Sequence, residues 1–364
     1  SIMNNLKKLG LTALAGSLVA VNANAGEMSV SGAFNATYVT TDGSTGTATT
    51  DHGIGLGNDK DFGVSGSGEL DNGWTFAGNT ALKEASGFDI SSSNLSLTMG
   101  SLGTISTGSG TGGSSTKYDE QTPKAYEEID DFGGTTLSAN LVGSWLDNNS
   151  LIYNSPSMEM MGLTLSADVE YSPEATGTSP NDGGSQHSSE YNSGYSLGVT
   201  ASHGSGLTVG VYGAERENDG PTAADHDAFE GVWYANYSAG PVSIGYSQSY
   251  IDAGQSGSIE AITAVKTVGS AQGIFETEMY SIAFNVNDNL SVSYGKAIDT
   301  YDNQSNVSGG TEIADVDLEI KSIQAAYTMG SMSISAQRTE TSNIKYSTIG
   351  GSLTKTEVAL GLAF

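Results

Sequence analysis

The chain has 364 residues, with 13 Lys and Arg against 41 Asp and Glu, four His and no Cys, for a formal charge of −28. That charge disfavours a nucleic-acid partner, and the missing thiols exclude disulfides and thiolate metal sites. Gly is abundant (49) and Pro scarce (6), but 17 Tyr and a recurring apolar alternation argue against a disordered chain.

Taken in order, Lys7 and Lys8, the apolar run Leu9–Val21 and the small-x-small site Ala23-Asn24-Ala25 predict a secretory signal peptide over residues 3–25. The run is shorter than the roughly 20 apolar residues a spanning helix needs. Its removal leaves one domain, residues 26–364, with 11 basic against 41 acidic residues and a charge of −30. No later stretch is apolar enough to cross a bilayer as a helix, so any crossing must use strands.

From Gly26 the pattern has a period of two. Met28, Val30, Phe34, Ala36 and Tyr38 share one face; Glu27, Ser29, Ser31, Asn35 and Thr37 share the other. A polar run over Thr40–Lys60 reads as a loop. Phe62, Val64 and Leu70 mark the next strand, and Asp71-Asn72-Gly73 a tight turn into Trp74, Phe76 and Leu82. Leu95, Leu97 and Met99 precede a turn at Gly100–Gly103 and a short strand through Ile105. An irregular acidic segment then occupies about 110–148.

Beyond it the alternation returns in Leu163–Tyr171, Tyr195–Ala201, Leu207–Val211, Trp233–Tyr237, Val242–Tyr250, Tyr280–Val286, Leu290–Tyr294, Ile323–Tyr327 and Met332–Ala336. The last strand carries Val358, Leu360, Leu362 and Phe364 on one face. Sixteen strands are predicted, joined alternately by long and short connections. An even number places both ends on the short-turn rim, so the first strand can pair with the last. The expected fold is all-β: a 16-stranded antiparallel transmembrane β-barrel with lipid outside and a watery lumen. Tyr38, Trp74, Tyr171, Tyr195, Tyr237, Tyr250, Tyr280 and Phe364 lie near strand ends, as interface girdles do. Periodicity alone does not separate this barrel from a soluble sandwich with the faces reversed.

The stretch Asn149-Ser150-Leu151-Ile152-Tyr153-Asn154-Ser155-Pro156 followed by Gly162–Ala167, the strand–turn–strand Met99–Gly108 and the terminal Phe364 resemble the general porins of Gram-negative outer membranes, particularly those of alphaproteobacteria. The resemblance implies a homotrimer of 16-stranded barrels in the cell outer membrane, with no enzymatic activity. It also implies a passive diffusion channel in each barrel, a third loop folded inward to narrow it, and Phe364 as the assembly signal. Lipopolysaccharide and membrane lipid would be partners, with small hydrophilic solutes and cations as the traffic.

The constriction loop would be 110–148, with an acidic ring of Asp119, Glu120, Glu127, Glu128, Asp130 and Asp131, joined by Asp147, against Lys117 and Lys124. Acidic rings favour cations. Relatives place arginines opposite the loop; the two matching positions here are Ser109 and Ile152. Lys83, Arg216 and Lys355 are the candidate basic residues of the opposing lumen wall. The expectation is a cation-selective pore without cofactor, apart from loosely held Ca²⁺ at acidic outer loops.

Other motifs are weaker. Gly108–Gly113 contains a G-x-G-x-x-G spacing but no helix follows it. Asp225-His226-Asp227 is a divalent-ion candidate without fixed ligand spacing. The four His lie in loops or turns without a serine and acid partner, which argues against a hydrolase. The alternatives are a channel selective for one solute class and a secreted β-rich adhesin, the latter built as a solenoid on a sequence repeat.

Overall fold

The computed structural model describes residues 27–44, 50–84, 88–131, 141–143, 145–146, 150–175, 191–218, 226–254, 273–302, 314–346 and 351–364; for 50–52, 83, 84, 88, 89, 191 and 345 the backbone alone is described. Among these residues the chain forms seventeen strands: β1 (Glu27–Ser44), β2 (Thr50–Glu69), β3 (Thr75–Glu84), β4 (Phe88–Thr98), β5 (Thr104–Ser109), β6 (Ser150–Asn154), β7 (Met158–Met160), β8 (Leu163–Ser172), β9 (Tyr191–His203), β10 (Leu207–Asn218), β11 (Ala228–Ala239), β12 (Val242–Asp252), β13 (Ile274–Asn285), β14 (Leu290–Asp302), β15 (Val316–Met329), β16 (Met332–Ser342) and β17 (Ser352–Ala363).

Consecutive strands pair antiparallel, except that β6 pairs with β5 and β8 and β7 with β8. β6 and β7 both pair with β8 and form one interrupted stave, so the wall has the sixteen strands expected. The break falls at Ser155-Pro156-Ser157, where Pro156 has no N–H to give the ladder. The expected signal peptide and Asp147, His187 and Asp225 lie outside the described residues.

Closure is made by β1 and β17, in register from Ala33↔Ala363 to Ser44↔Ser352. Beyond the ladder, Gly32 N–H donates to the Phe364 carbonyl (2.8 Å) and Phe364 N–H to the Gly32 carbonyl (2.9 Å). A Cβ on Gly32 would stand 2.6 Å from the Phe364 ring, so the terminal aromatic ring needs glycine beneath it. A closed ladder has no free edge, and it excludes the solenoid.

The short turns follow local chemistry. Asn287 Oδ1 accepts from the N–H groups of Asn289 and Leu290, and Asn72 Oδ1 from Trp74 N–H. Both are side-chain mimics of a backbone turn.

The structure corrects two expectations. Thr40–Lys60 is largely strand, because Gly53–Thr41 to Ser67–Glu27 is a continuous ladder between β2 and β1. Its polar residues sit on both faces, so no apolar alternation marks it. The inner face is also not uniformly polar. Tyr212, Val232, Tyr234, Ile251, Phe275, Tyr301, Leu318 and Ile320 are buried there, opposite in phase to exposed Val211, Trp233, Tyr280 and Ile323. They pack with Tyr118, Ile129, Val142 and Leu146 of the acidic segment and with Tyr346 after β16. The barrel thus carries its apolar core inside, along β10–β15.

Candidate functional site

The acidic segment leaves β5 at Gly110 and returns at β6. Its hydrogen bonds follow the inner face of the wall strand by strand. Ser114 donates to Glu170 of β8 through N–H (2.9 Å) and Oγ (2.6 Å). Tyr118 OH donates to Asp168 (2.6 Å), and its ring stacks on Tyr212 of β10 at 5.3 Å. Asn236 of β11 donates to the Gln121 carbonyl, and Ser281 of β13 to the Pro123 carbonyl (2.6 Å). Ala125 N–H donates to Ser293 of β14 (2.9 Å). Tyr126 N–H donates to Gln324 of β15, and Tyr126 OH reaches Glu357 of β17 (2.9 Å).

The return limb is held too. Gly143 N–H donates to Glu230 of β11 (3.0 Å), and the Arg216 guanidinium lies over the Trp145 ring at 4.3 Å.

Wall glycines make room for these contacts. A Cβ on Gly198 would stand 2.4 Å from the Tyr118 ring, and one on Gly245 would stand 2.3 Å from Pro123 Cδ. One on Gly194 would meet Leu146 at 2.5 Å. The side chains of the segment occupy space that any larger wall residue would fill.

The segment gathers carboxylates. Glu120 is buried, its backbone is left-handed (φ 43°), and its Oε1 has no hydrogen-bond partner. Such a conformation costs a non-glycine residue about 1–3 kcal/mol and persists only where the surroundings hold it. Burial, then the charges of Asp130 and Glu128, push the Glu120 carboxyl well above the usual range. Burial followed by Glu128 raises Asp119 to about 7. Burial, then Asp131 and Glu357, raises Glu127 to about 7. Asp130 rises to about 6 through burial and the charges of Glu128 and Asp131. Lys124 offsets part of this crowding through its ion pair with Glu128 (2.7 Å). Lys117 instead pairs with Asp168 of the wall (3.2 Å).

Of the three candidate wall cations, Lys355 is within electrostatic reach of Asp131 in the cluster and of Glu357 on its own strand. Arg216 is on the inner phase of β10 but lies against Trp145 of the segment itself. Lys355 is on the inner phase of β17, two residues before buried Glu357. Lys83 is placed by register opposite Asp61 of β2. Of the two positions that lack the relatives' arginine, Ile152 is buried on the inner phase. Ser109 pairs with Ser93, in phase with exposed Leu95, and so stands on the outer phase. His226 pairs with Asp252 (2.9 Å). Among the described residues no three His, Asp or Glu side chains are grouped to hold a metal ion.

The wall supplies what the sequence reading missed. Asp168, Glu170, Glu230 and Glu357 are buried inner-phase acids that hold the segment, not cations that oppose it. The sequence shows only that Asp168 and Glu170 are carboxylates on the polar phase of β8, shared with Thr164, Ser166 and Ser172, and nothing there marks them as anchors.

Comparison with known proteins agrees with this architecture. A family profile described as Gram-negative porin matches residues 10–288. Among solved structures, the chain is similar to OmpF of Salmonella typhi in complex with daunomycin. The identity is 15%, the match covers 95% of this chain and 100% of that one, and the TM-score is 0.67. It is similar to an anion-selective porin from Comamonas acidovorans (14% identity, 93% and 99% covered, TM-score 0.61). It is also similar to the outer-membrane channel DcaP of Acinetobacter baumannii (11% identity, 94% and 99% covered, TM-score 0.61). No curated protein matches.

Proposed function

The chain belongs to the Gram-negative porin family and is an outer-membrane channel protein rather than an enzyme, and on that premise we propose that it passes ions and small hydrophilic solutes with a preference for cations. The single observation behind this reading is the course of residues 114–131. They are hydrogen-bonded along the inner wall from β8 to β17 while carrying Asp119, Glu120, Glu127, Glu128, Asp130 and Asp131. In this reading the segment is the constriction, and its carboxylates set the sign of the passing ion. One unit charge at about 5 Å is worth roughly 0.8 kcal/mol in water. Salt screens that within about 8 Å at physiological ionic strength.

The fold does not fix the sign, since an anion-selective porin shares it. The chain's own charge, 13 Lys and Arg against 41 Asp and Glu, supports the cationic reading. Of its three candidate wall cations, Lys355 lies near Glu357 and Arg216 lies on the segment, and the backbone of Lys83 is in register with Asp61. The motif around Asn149–Pro156 supports the alphaproteobacterial type.

The outer face supports self-association. Most strands present large apolar side chains outward, such as Val169, Leu197, Trp233 and Ile244. Across β2–β5 the outward residues Gly66, Gly78, Thr80, Ser93 and Thr107 alternate with Val64, Phe76 and Leu95 around a depression of about 750 Å³. Small and hydroxylated residues suit a neighbouring protomer better than acyl chains, in line with a homotrimer. Phe364, seated over Gly32, is the assembly signal in the same reading, and residues 3–25 are the exported leader.

The test is the zero-current potential of the refolded protein in a planar bilayer under a KCl gradient. A potential of the sign set by K⁺ supports the proposal; one set by Cl⁻ refutes it.

A further inference from the structure

Glu170 stands outside the acidic ring, yet both ends of the constriction segment converge on it. It is on the inner phase of β8 and 1% exposed. Its Oε2 accepts from Ser114 N–H (2.9 Å) and Ser114 Oγ (2.6 Å), at the start of the segment. Its Oε1 accepts from Ser150 Oγ (2.6 Å), the first residue of β6 where the segment ends. Ser196 of β9 reaches the same Ser114 hydroxyl (2.9 Å). Gly113 completes the approach. Its φ is +62°, and a Cβ there would stand 2.8 Å from Glu170 Oε1. The chain therefore comes this close to the carboxylate only with glycine at that position.

We propose that Glu170 is a clasp that fixes both ends of the constriction segment to β8 and so sets the rest position of the channel's narrowest part. The inference rests on the reading of residues 114–131 as the constriction. Glu170 does not itself select ions; it is a positioning residue. Hydrogen bonds to a buried carboxyl are costly to leave unmade. Three such bonds on one buried group also tie together positions 36 residues apart in the chain. Contacts further along, such as Tyr126 with Glu357, hold the distal part of the segment separately. Removing the clasp loosens the start of the segment at Ser114 and its side-chain tie to Ser150, while the β5–β6 ladder keeps the Ser150 backbone in place, so the first turns of the segment should gain freedom.

The experiment uses the full refolded chain in planar bilayers at constant voltage, with Glu170→Ala, Ser150→Ala and Ser150→Thr. Heat-dependent gel migration confirms that each barrel is closed. Glu170→Ala removes three hydrogen bonds and is expected to raise the frequency of current transitions by at least about tenfold, the scale of losing one of them. Ser150→Ala should give a smaller rise, and Ser150→Thr, which keeps the hydroxyl, should behave as the parent. If Glu170→Ala does not fold, the Ser150 pair decides.

A closed Glu170→Ala barrel with parental transition frequency would overturn the clasp, as would Ser150→Thr being as noisy as Ser150→Ala. Ion selectivity is a separate readout. Its insensitivity to neutralising the acidic ring would remove the constriction reading. Transition frequency judges the clasp alone.

Discussion

Gly198→Ala tests how firmly the acidic segment is seated. The added methyl would stand 2.4 Å from three atoms of the Tyr118 ring, including its hydroxyl oxygen. Ordinary contact needs about 3.5 Å, so the ring must retreat by about 1 Å, away from the wall and toward the lumen. Tyr118 is 1% exposed, stacked on Tyr212 and bonded to Asp168, so the retreat strains or breaks both contacts. Overpacking costs about 1–3 kcal/mol, and a lost bond to a charged acceptor about 1.5–3 kcal/mol. Burial, followed by the bond to Asp168, holds the Tyr118 hydroxyl far above its ordinary range, so it remains a donor at every working pH. The strain falls on the segment, because the β9 ladder continues unbroken on both sides of Gly198. The assay is single-channel conductance beside thermal unfolding of the barrel. The expected result is reduced or fluctuating conductance with little loss of barrel stability. Parental conductance in a folded Gly198→Ala or Gly198→Val barrel would refute the seating of Tyr118 against this wall.

Three further outcomes follow from the same geometry. Between pH 5 and pH 8 cation preference should grow, with most of the change near pH 6–7, as Asp130 (about 6) and then Asp119 and Glu127 (about 7) ionise; a reversal potential flat over that range would count against it. The same raised carboxyls bind more protons folded than unfolded, so their contribution to stability is full below their unfolded values near 4 and is lost as pH rises through 6–7. Protease sensitivity of the segment should accordingly increase from pH 5 to pH 8. Tyr126→Phe removes the donor to Glu357 (2.9 Å), a loss of about 1.5–3 kcal/mol, which should appear as open-channel noise without barrel unfolding. Deleting Phe364 removes its ring and both of its backbone bonds to Gly32, and should lower the yield of closed barrel in refolding followed by gel migration.

Much of the barrel was legible because its outward face repeats every second residue. Val358, Leu360 and Leu362 on β17 meet Tyr38, Ala36 and Phe34 on β1, as closure requires. The cluster of acids over residues 119–131 was legible as composition between two recognisable strands. The strand character of Gly53–Lys60 was not, since Ile54 and Leu56 alternate with Gly and polar residues stand on both faces. Pairing with β1, not propensity, makes it a strand. The inner core was hidden for a related reason. In Val211-Tyr212 and Trp233-Tyr234 both phases are apolar, and only the covering segment shows why the inner one is. The anchoring roles of Glu170 and Asp168 depend on contacts 56 and 50 residues away in sequence, which no local pattern announces.

The central claim is that the acids of residues 119–131 set the ion preference. Its most direct measurement is the reversal potential under a KCl gradient, compared between the parent and a variant with Asp119, Glu120, Glu127, Glu128, Asp130 and Asp131 changed to their amides. The account predicts a K⁺-selective parent and a variant whose potential moves toward zero while the channel still conducts. An unchanged K⁺ potential in the variant would contradict it and move the filter to the wall acids.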